Sequence, residues 1–81
     1  MELSAAAREH FEQALAMEKA AFGDKHVRVA ETLDHLGGLL ILQGAKEEAR
    51  AAYEQALAIL STSLPPRHPK IAAVRQHIEK L

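Results

Sequence analysis

The sequence predicts an all-α protein of paired helices, and three observations predict it. Apolar residues make up 48% of the chain and aromatic residues only 4%. The apolar share is mostly Ala and Leu, both strong helix formers, whereas a sandwich or barrel draws on β-branched and aromatic side chains. Apolar positions recur every three or four residues, which is the helical period. Gly23, Gly44 and Pro65-Pro66 cut the chain into helix-sized lengths. With 81 residues the upper bound is one domain, 1–81, whose core is only marginally stable.

Taken in order, the first helix is expected over 4–22. Ala7, Phe11 and Ala14 give it an apolar stripe, and Gly23-Asp24 ends it. The second is expected over 26–43, where Val29, Leu33, Leu36 and Leu40 recur at spacings of four, three and four. Ala30, Gly37 and Ile41 lie beside that stripe, so the buried arc is wide and the helix is an inner one. Gly44 ends it as a C-terminal glycine does. The third is expected over 46–62, with Ala49, Tyr53, Ala56 and Leu60 flanked by Ala52 and Ile59, and Leu64-Pro65-Pro66 closes it. The fourth, over 69–80, opens on Pro69, a residue suited to a first helical position. Ser4, Ser61 and Ser63 fall near helix ends, where serine caps or turns.

The chain repeats itself. A shift of 42 places Ala7-Arg8 on Ala49-Arg50, Phe11 on Tyr53, and 12–16 on the identical 54–58. It also places His26 on His68, Val29 on Ile71, Ala30 on Ala72, His35 on His77 and Leu36 on Ile78. Of the 39 pairs so formed, 11 are identical, and alanine bias does not explain matched His, Gln and aromatic positions. Glu18 falls on Leu60, so the first helix is the more polar of its pair on its late turn.

The pattern Leu33-x-x-Leu36-Gly37-x-x-Leu40 followed by Ala49-x-x-x-Tyr53-x-x-Ala56 resembles the tetratricopeptide repeat. It is most similar to the 42-residue form of kinesin light chains, whose loop ends in His-Pro as Leu64-Pro65-Pro66-Arg67-His68-Pro69 does here. Small Gly37, Ala49 and Ala56 let paired helices approach, while Leu33, Leu36, Leu40 and Tyr53 fill the space between them. Ala7, Phe11 and Ala14 take the same packing role in the first helix. The resemblance implies a helical-hairpin solenoid that binds protein or peptide. It implies a concave wall from the first helix of each repeat, here Glu31, Asp34, Gly38, Ile41 and Leu42, with Ala73, Gln76 and Lys80 from the last helix. Leu39, Ile41 and Leu42 together exceed what one buried stripe needs, which favours a contact surface. Where such repeats carry Leu-Asn-Asn-Leu, this chain has Leu33-Asp34-His35-Leu36. An ionised Asp34 accepts but does not donate, so the two-way amide clamp is weakened.

Other function classes find little support. Without Cys there is no disulfide, thiolate metal site or Cys nucleophile. The five histidines include no i, i+4 pair and no His-Glu-x-x-His; His26 and His68 sit at loop-to-helix junctions and read as packing or capping residues. No nucleophile has a plausible base and no Gly-rich loop follows a strand, so no enzyme, cofactor or metal site is expected. Ten basic residues against 11 acidic ones give no field for nucleic acid. The apolar run 39–42 is far too short to cross a membrane. Without a signal-peptide pattern the expected location is cytoplasmic.

The register of the repeat suggests how the chain works. Helix 4–22 reads as the second helix of a repeat, 26–62 as a complete repeat, and 69–80 as the first helix of the next. The end helices then lack their neighbours, as excision from a longer array or design would also leave them. Residues 1–24 carry five acids against Arg8 and Lys19, a balance of −3, and residues 67–81 carry four bases against Glu79, a balance of +3. The first expectation is therefore a homo-oligomer, the last helix of one copy pairing with the first helix of another. Arg75 and Glu79 argue against it, because they make the last helix a polar cap. The alternative is an adaptor that binds a peptide or partner helix in the concave groove.

Overall fold

The computed structural model describes residues 2–81, with side chains from Ala5 onward; the side chain of Ser4, and with it the expected end-of-helix role, lies outside them. Four helices follow one another: α1 (Glu2–Phe22), α2 (Val27–Leu42), α3 (Lys46–Ser63) and α4 (Pro69–Glu79). Their limits differ from the expected ones by one or two residues, and in α2 and α4 the difference is a terminal residue that acts as a cap. His26 and His68 are the N-caps of α2 and α4, each Nδ1 accepting from the backbone N–H two residues on, at 3.1 Å. Gln43 and Lys80 are C-caps.

The α2–α3 turn shows why Gly44 stands there. Gly44 N–H donates to the Ile41 carbonyl and Ala45 N–H to the Leu40 carbonyl, at 3.0 and 2.8 Å. That crossed pair satisfies the last carbonyls of the helix only when the residue between is left-handed, and Gly44 has φ 79°. At the end of α3, Leu64 is extended at φ −125° and ψ 157°, as a residue before proline must be. The Ser63 hydroxyl donates to the Lys25 carbonyl and ties α3 to the α1–α2 loop.

The helices pack in chain order, with the largest interface between α2 and α3. Val29, Ala30, Leu33, Leu36 and Leu40 of α2 meet Ala49, Ala52, Tyr53, Ala56 and Leu60 of α3, and Ile71 and Val74 of α4 complete the core. Gly37 makes the approach possible: a Cβ there would lie 2.6 Å from the Tyr53 ring. Leu33, Leu36, Gly37, Leu40, Ala49, Tyr53 and Ala56 are all buried.

Ala7, Phe11 and Ala14 are only partly buried, Phe11 packing against the core from its edge. Their counterparts Ala49, Tyr53 and Ala56 are enclosed because α3 lies between α2 and α4, whereas α1 packs chiefly on α2. Leu39 is partly buried against the core, whereas Ile41 and Leu42 are exposed.

The two outer interfaces use different chemistry at equivalent positions. Thr32 Oγ1 donates to Glu18 Oε1 at 2.6 Å between α1 and α2. The shift of 42 places this pair on Leu60 and Val74, both buried in the core. A hydrogen-bonded pair thus replaces an apolar one, and the buried Thr32 hydroxyl keeps a partner.

Candidate functional site

Two surfaces stand out. The first is a cleft of about 370 Å³ between α2 and α4, with Ala30, Leu60 and Val74 among the apolar lining and Glu31, Asp34, His35, Lys70 and Ala73 completing it. Helical spacing accounts for both walls. Ile71 and Val74 turn one stripe of α4 into the core, so Lys70, Ala73 and His77, at spacings of three and four, form a stripe beside it.

Charged groups bridge the walls. Lys70 Nζ donates to Glu31 Oε2. Asp34 Oδ1 accepts from His77 Nδ1–H at 2.9 Å. The His77 ring leans on Tyr53, with centroids 5.2 Å apart. The same aromatic–histidine pairing recurs one repeat earlier, where Phe11 and His35 lie 6.4 Å apart.

The Lys70 hydrogen bond holds the Glu31 carboxyl below the usual glutamate range; burial opposes it, and the charges of Lys70, Arg28 and His35 add to it. Burial, helped by the Asp34 charge, pushes the Tyr53 phenol above its usual value. Replacing Lys70 with methionine should return the Glu31 carboxyl towards the ordinary range, read by NMR titration of its side-chain carbon. Because the folded pKa is depressed, the pair's stabilisation is complete above the ordinary glutamate pKa. It is lost as pH falls through the lowered one. Both side chains are nearly half exposed, so the effect on stability is small, about 0.2–1 kcal/mol, and fades with salt.

Of the eight wall residues expected from sequence, Glu31, Asp34 and Ala73 converge on this cleft. The other five do not line it. Gly38 lies near the Tyr53 hydroxyl, which a Cβ would meet at 3.8 Å. Ile41 and Leu42 stand exposed at the end of α2, Leu42 at 85%. Gln76 and Lys80 are exposed on α4, turned away from the core by the burial of Ile71 and Val74. Lys70, which lines the cleft, and His77, which bonds Asp34 beside it, were not foreseen, because spacing from Ala73 fits the stripe through Gln76 and Lys80 equally well.

The second surface is the outer side of α1. Met17 is 72% exposed and Phe22 49%, whereas their repeat counterparts Ile59 and Leu64 are packed against the core. Phe22 stacks on His26 at 4.7 Å, with the Arg28 guanidinium 5.7 Å from its ring centre.

Residues 1–62, which span α1, α2 and most of α3, match the family described as Tetratricopeptide repeat. The chain belongs to the tetratricopeptide-repeat family. Neither the curated proteins nor the solved structures gave a match. Tetratricopeptide repeats are generally protein–protein interaction modules and typically non-catalytic, so protein partners follow from membership. Among the described residues no helix is long and apolar enough to cross a membrane. For a tetratricopeptide repeat the α2/α4 cleft has a plain physical sense. Tyr53 of α3 meets both Gly37 of α2 and His77 of α4, and Leu60 lines the cleft between those two helices.

Proposed function

We propose that this chain is an adaptor of the 42-residue, kinesin-light-chain-like type that holds a peptide or partner helix on the α2/α4 wall. In this reading 4–22 is the second helix of one repeat, 26–62 a complete repeat and 69–80 the first helix of the next. The convergence of Glu31, Asp34 and Ala73 on one cleft with an apolar floor carries the proposal. The rim offers both signs of charge, and the two cross-wall bridges open at low cost because their members are partly exposed. A peptide selected from a display library against the intact protein should bind more than 10-fold more weakly to Ala73→Arg, a loss of about 1.4 kcal/mol or more. It should bind unchanged to Met17→Glu. Equal binding to Ala73→Arg would remove the wall as the site.

A second reading is self-association through the end helices. The opposite charges of 1–24 and 67–81 and the exposure of Met17 and Phe22 favour it. It requires a solution mass above that of one chain, measured by sedimentation velocity at micromolar concentration.

A further inference from the structure

We propose that the peptide held on the α2/α4 wall carries an arginine, and that Asp34 is the residue that selects it. The inference rests on the adaptor reading and deepens it by naming the chemistry of the ligand. What carries it is the way the charges of the wall are shared out.

The cleft lining sets two carboxylates, Glu31 and Asp34, against one ammonium, Lys70, so with neutral histidines it has one negative charge in excess. That excess falls on Asp34. Lys70 is bonded to Glu31, and this hydrogen bond, with the charges of Lys70 and Arg28, holds the Glu31 carboxyl below the usual range. The Arg28 guanidinium itself lies over the Phe22 ring of α1. Asp34 has no such counter-ion. Its partner is the His77 ring, which donates from Nδ1 to Oδ1 at 2.9 Å and needs no charge to do so. An ionised carboxylate only accepts, so it fixes the tautomer: the proton sits on Nδ1, and Nε2 of the neutral ring is an acceptor. Neither Nε2 nor the second Asp34 oxygen, Oδ2, has a partner among the described residues.

The group suited to this end of the wall is therefore a cation rich in donors and without acceptors. Arginine meets both conditions, with several N–H donors in a planar fork and a charge that leaves water more readily than an ammonium does. Both partners are within reach of a ligand, because the Asp34 side chain is 27% exposed and the His77 side chain 41%. The His77 bond stays in place, since the incoming group takes Oδ2. Buried Ala30, Leu60 and Val74 keep water from one side of the cleft, which strengthens the pairing. An acidic ligand meets the opposite conditions. Lys70 is already engaged, and a third carboxylate would stand against Glu31 and Asp34. Nor does α4 add acid to the wall from the matching positions: the shift of 42 puts Ala73 on Glu31 and Gln76 on Asp34. The selecting charge belongs to α2 alone.

The test begins with a random-sequence peptide display library, selected on the intact protein and then on Ala73→Tyr, which fills the cleft without adding charge. Peptides lost on Ala73→Tyr are wall binders, and they should be enriched in arginine. Replacing that arginine with citrulline keeps its shape and removes its charge. The replacement should weaken binding to the wild-type protein by about 5-fold or more, the upper range for a partly exposed ion pair. On Asp34→Asn the same replacement should change binding by less than about 2-fold, because asparagine keeps an acceptor for His77 but carries no charge. Circular dichroism should show the helical content of this variant unchanged. Wall binders that are not enriched in arginine, or a citrulline loss that survives Asp34→Asn, overturn this inference and leave the adaptor reading standing. If Ala73→Tyr loses no peptide, the adaptor reading fails and the inference falls with it.

Discussion

Leu60→Ala is expected to lower the free energy of unfolding by about 2–5 kcal/mol, measured by urea denaturation followed by circular dichroism. A chain of this length has roughly 4–12 kcal/mol in total, so the variant should unfold at a much lower urea concentration. Leu60 is 2% exposed and among the largest fully buried side chains. It sits where α3 passes from α2 to α4, and it also lines the inner cleft. Truncation therefore leaves a void bounded by three helices, and none can move inward without giving up contacts with another. Leu57, on the same helix but only partly buried, should cost much less when truncated. A loss under about 1 kcal/mol for Leu60→Ala would mean that α4 is not held on the hairpin as described.

The second prediction sets neighbouring glycines against each other. Alanine is the better helix former by about 1 kcal/mol, so by propensity alone both Gly37→Ala and Gly38→Ala would stabilise α2. Gly38→Ala should do so, by about 0.5–1 kcal/mol, because its Cβ meets only the Tyr53 hydroxyl at an ordinary 3.8 Å. Gly37→Ala should destabilise by up to about 2 kcal/mol, the balance of that gain against an overpacking cost of about 1–3 kcal/mol. The obstacle is a buried ring fixed between α2 and α4, which is unable to give way. Thermal unfolding should show the two midpoints moving in opposite directions by several degrees. A stabilising Gly37→Ala would overturn the account of the α2–α3 contact.

Glu31, Asp34 and Ala73 were nominated by the resemblance to the tetratricopeptide repeat, which assigns a wall to the first helix of each repeat, and they line one cleft. On α4 two stripes of three-or-four spacing pass through Ala73: one runs with Gln76 and Lys80, the other with Lys70 and His77. Spacing does not choose between them. The choice is made by how α4 rolls onto the hairpin: burial of Ile71 and Val74 brings Lys70 to the cleft and His77 to Asp34. The cross-wall bonds of Glu31 and Asp34 depend on the same roll, so neither was foreseen. The bond from Thr32 to Glu18 was half visible, since Glu18 stood out as the polar counterpart of Leu60. Its partner lies 14 residues away on another helix.

The sequence by itself determined the all-α class, the four helices to within one or two residues, the repeat of 42 and the histidine positions that became caps. These are local matters: helical period, turn chemistry and residue size act within a few positions along the chain. Only the tertiary structure decided which stripe of α4 forms the wall, that α1 is half-covered while α3 is enclosed, and why Gly37 is needed where Gly38 is not. Those depend on what stands across an interface. A side chain's value there is set by the helix that packs against it, which its own neighbours in sequence do not specify.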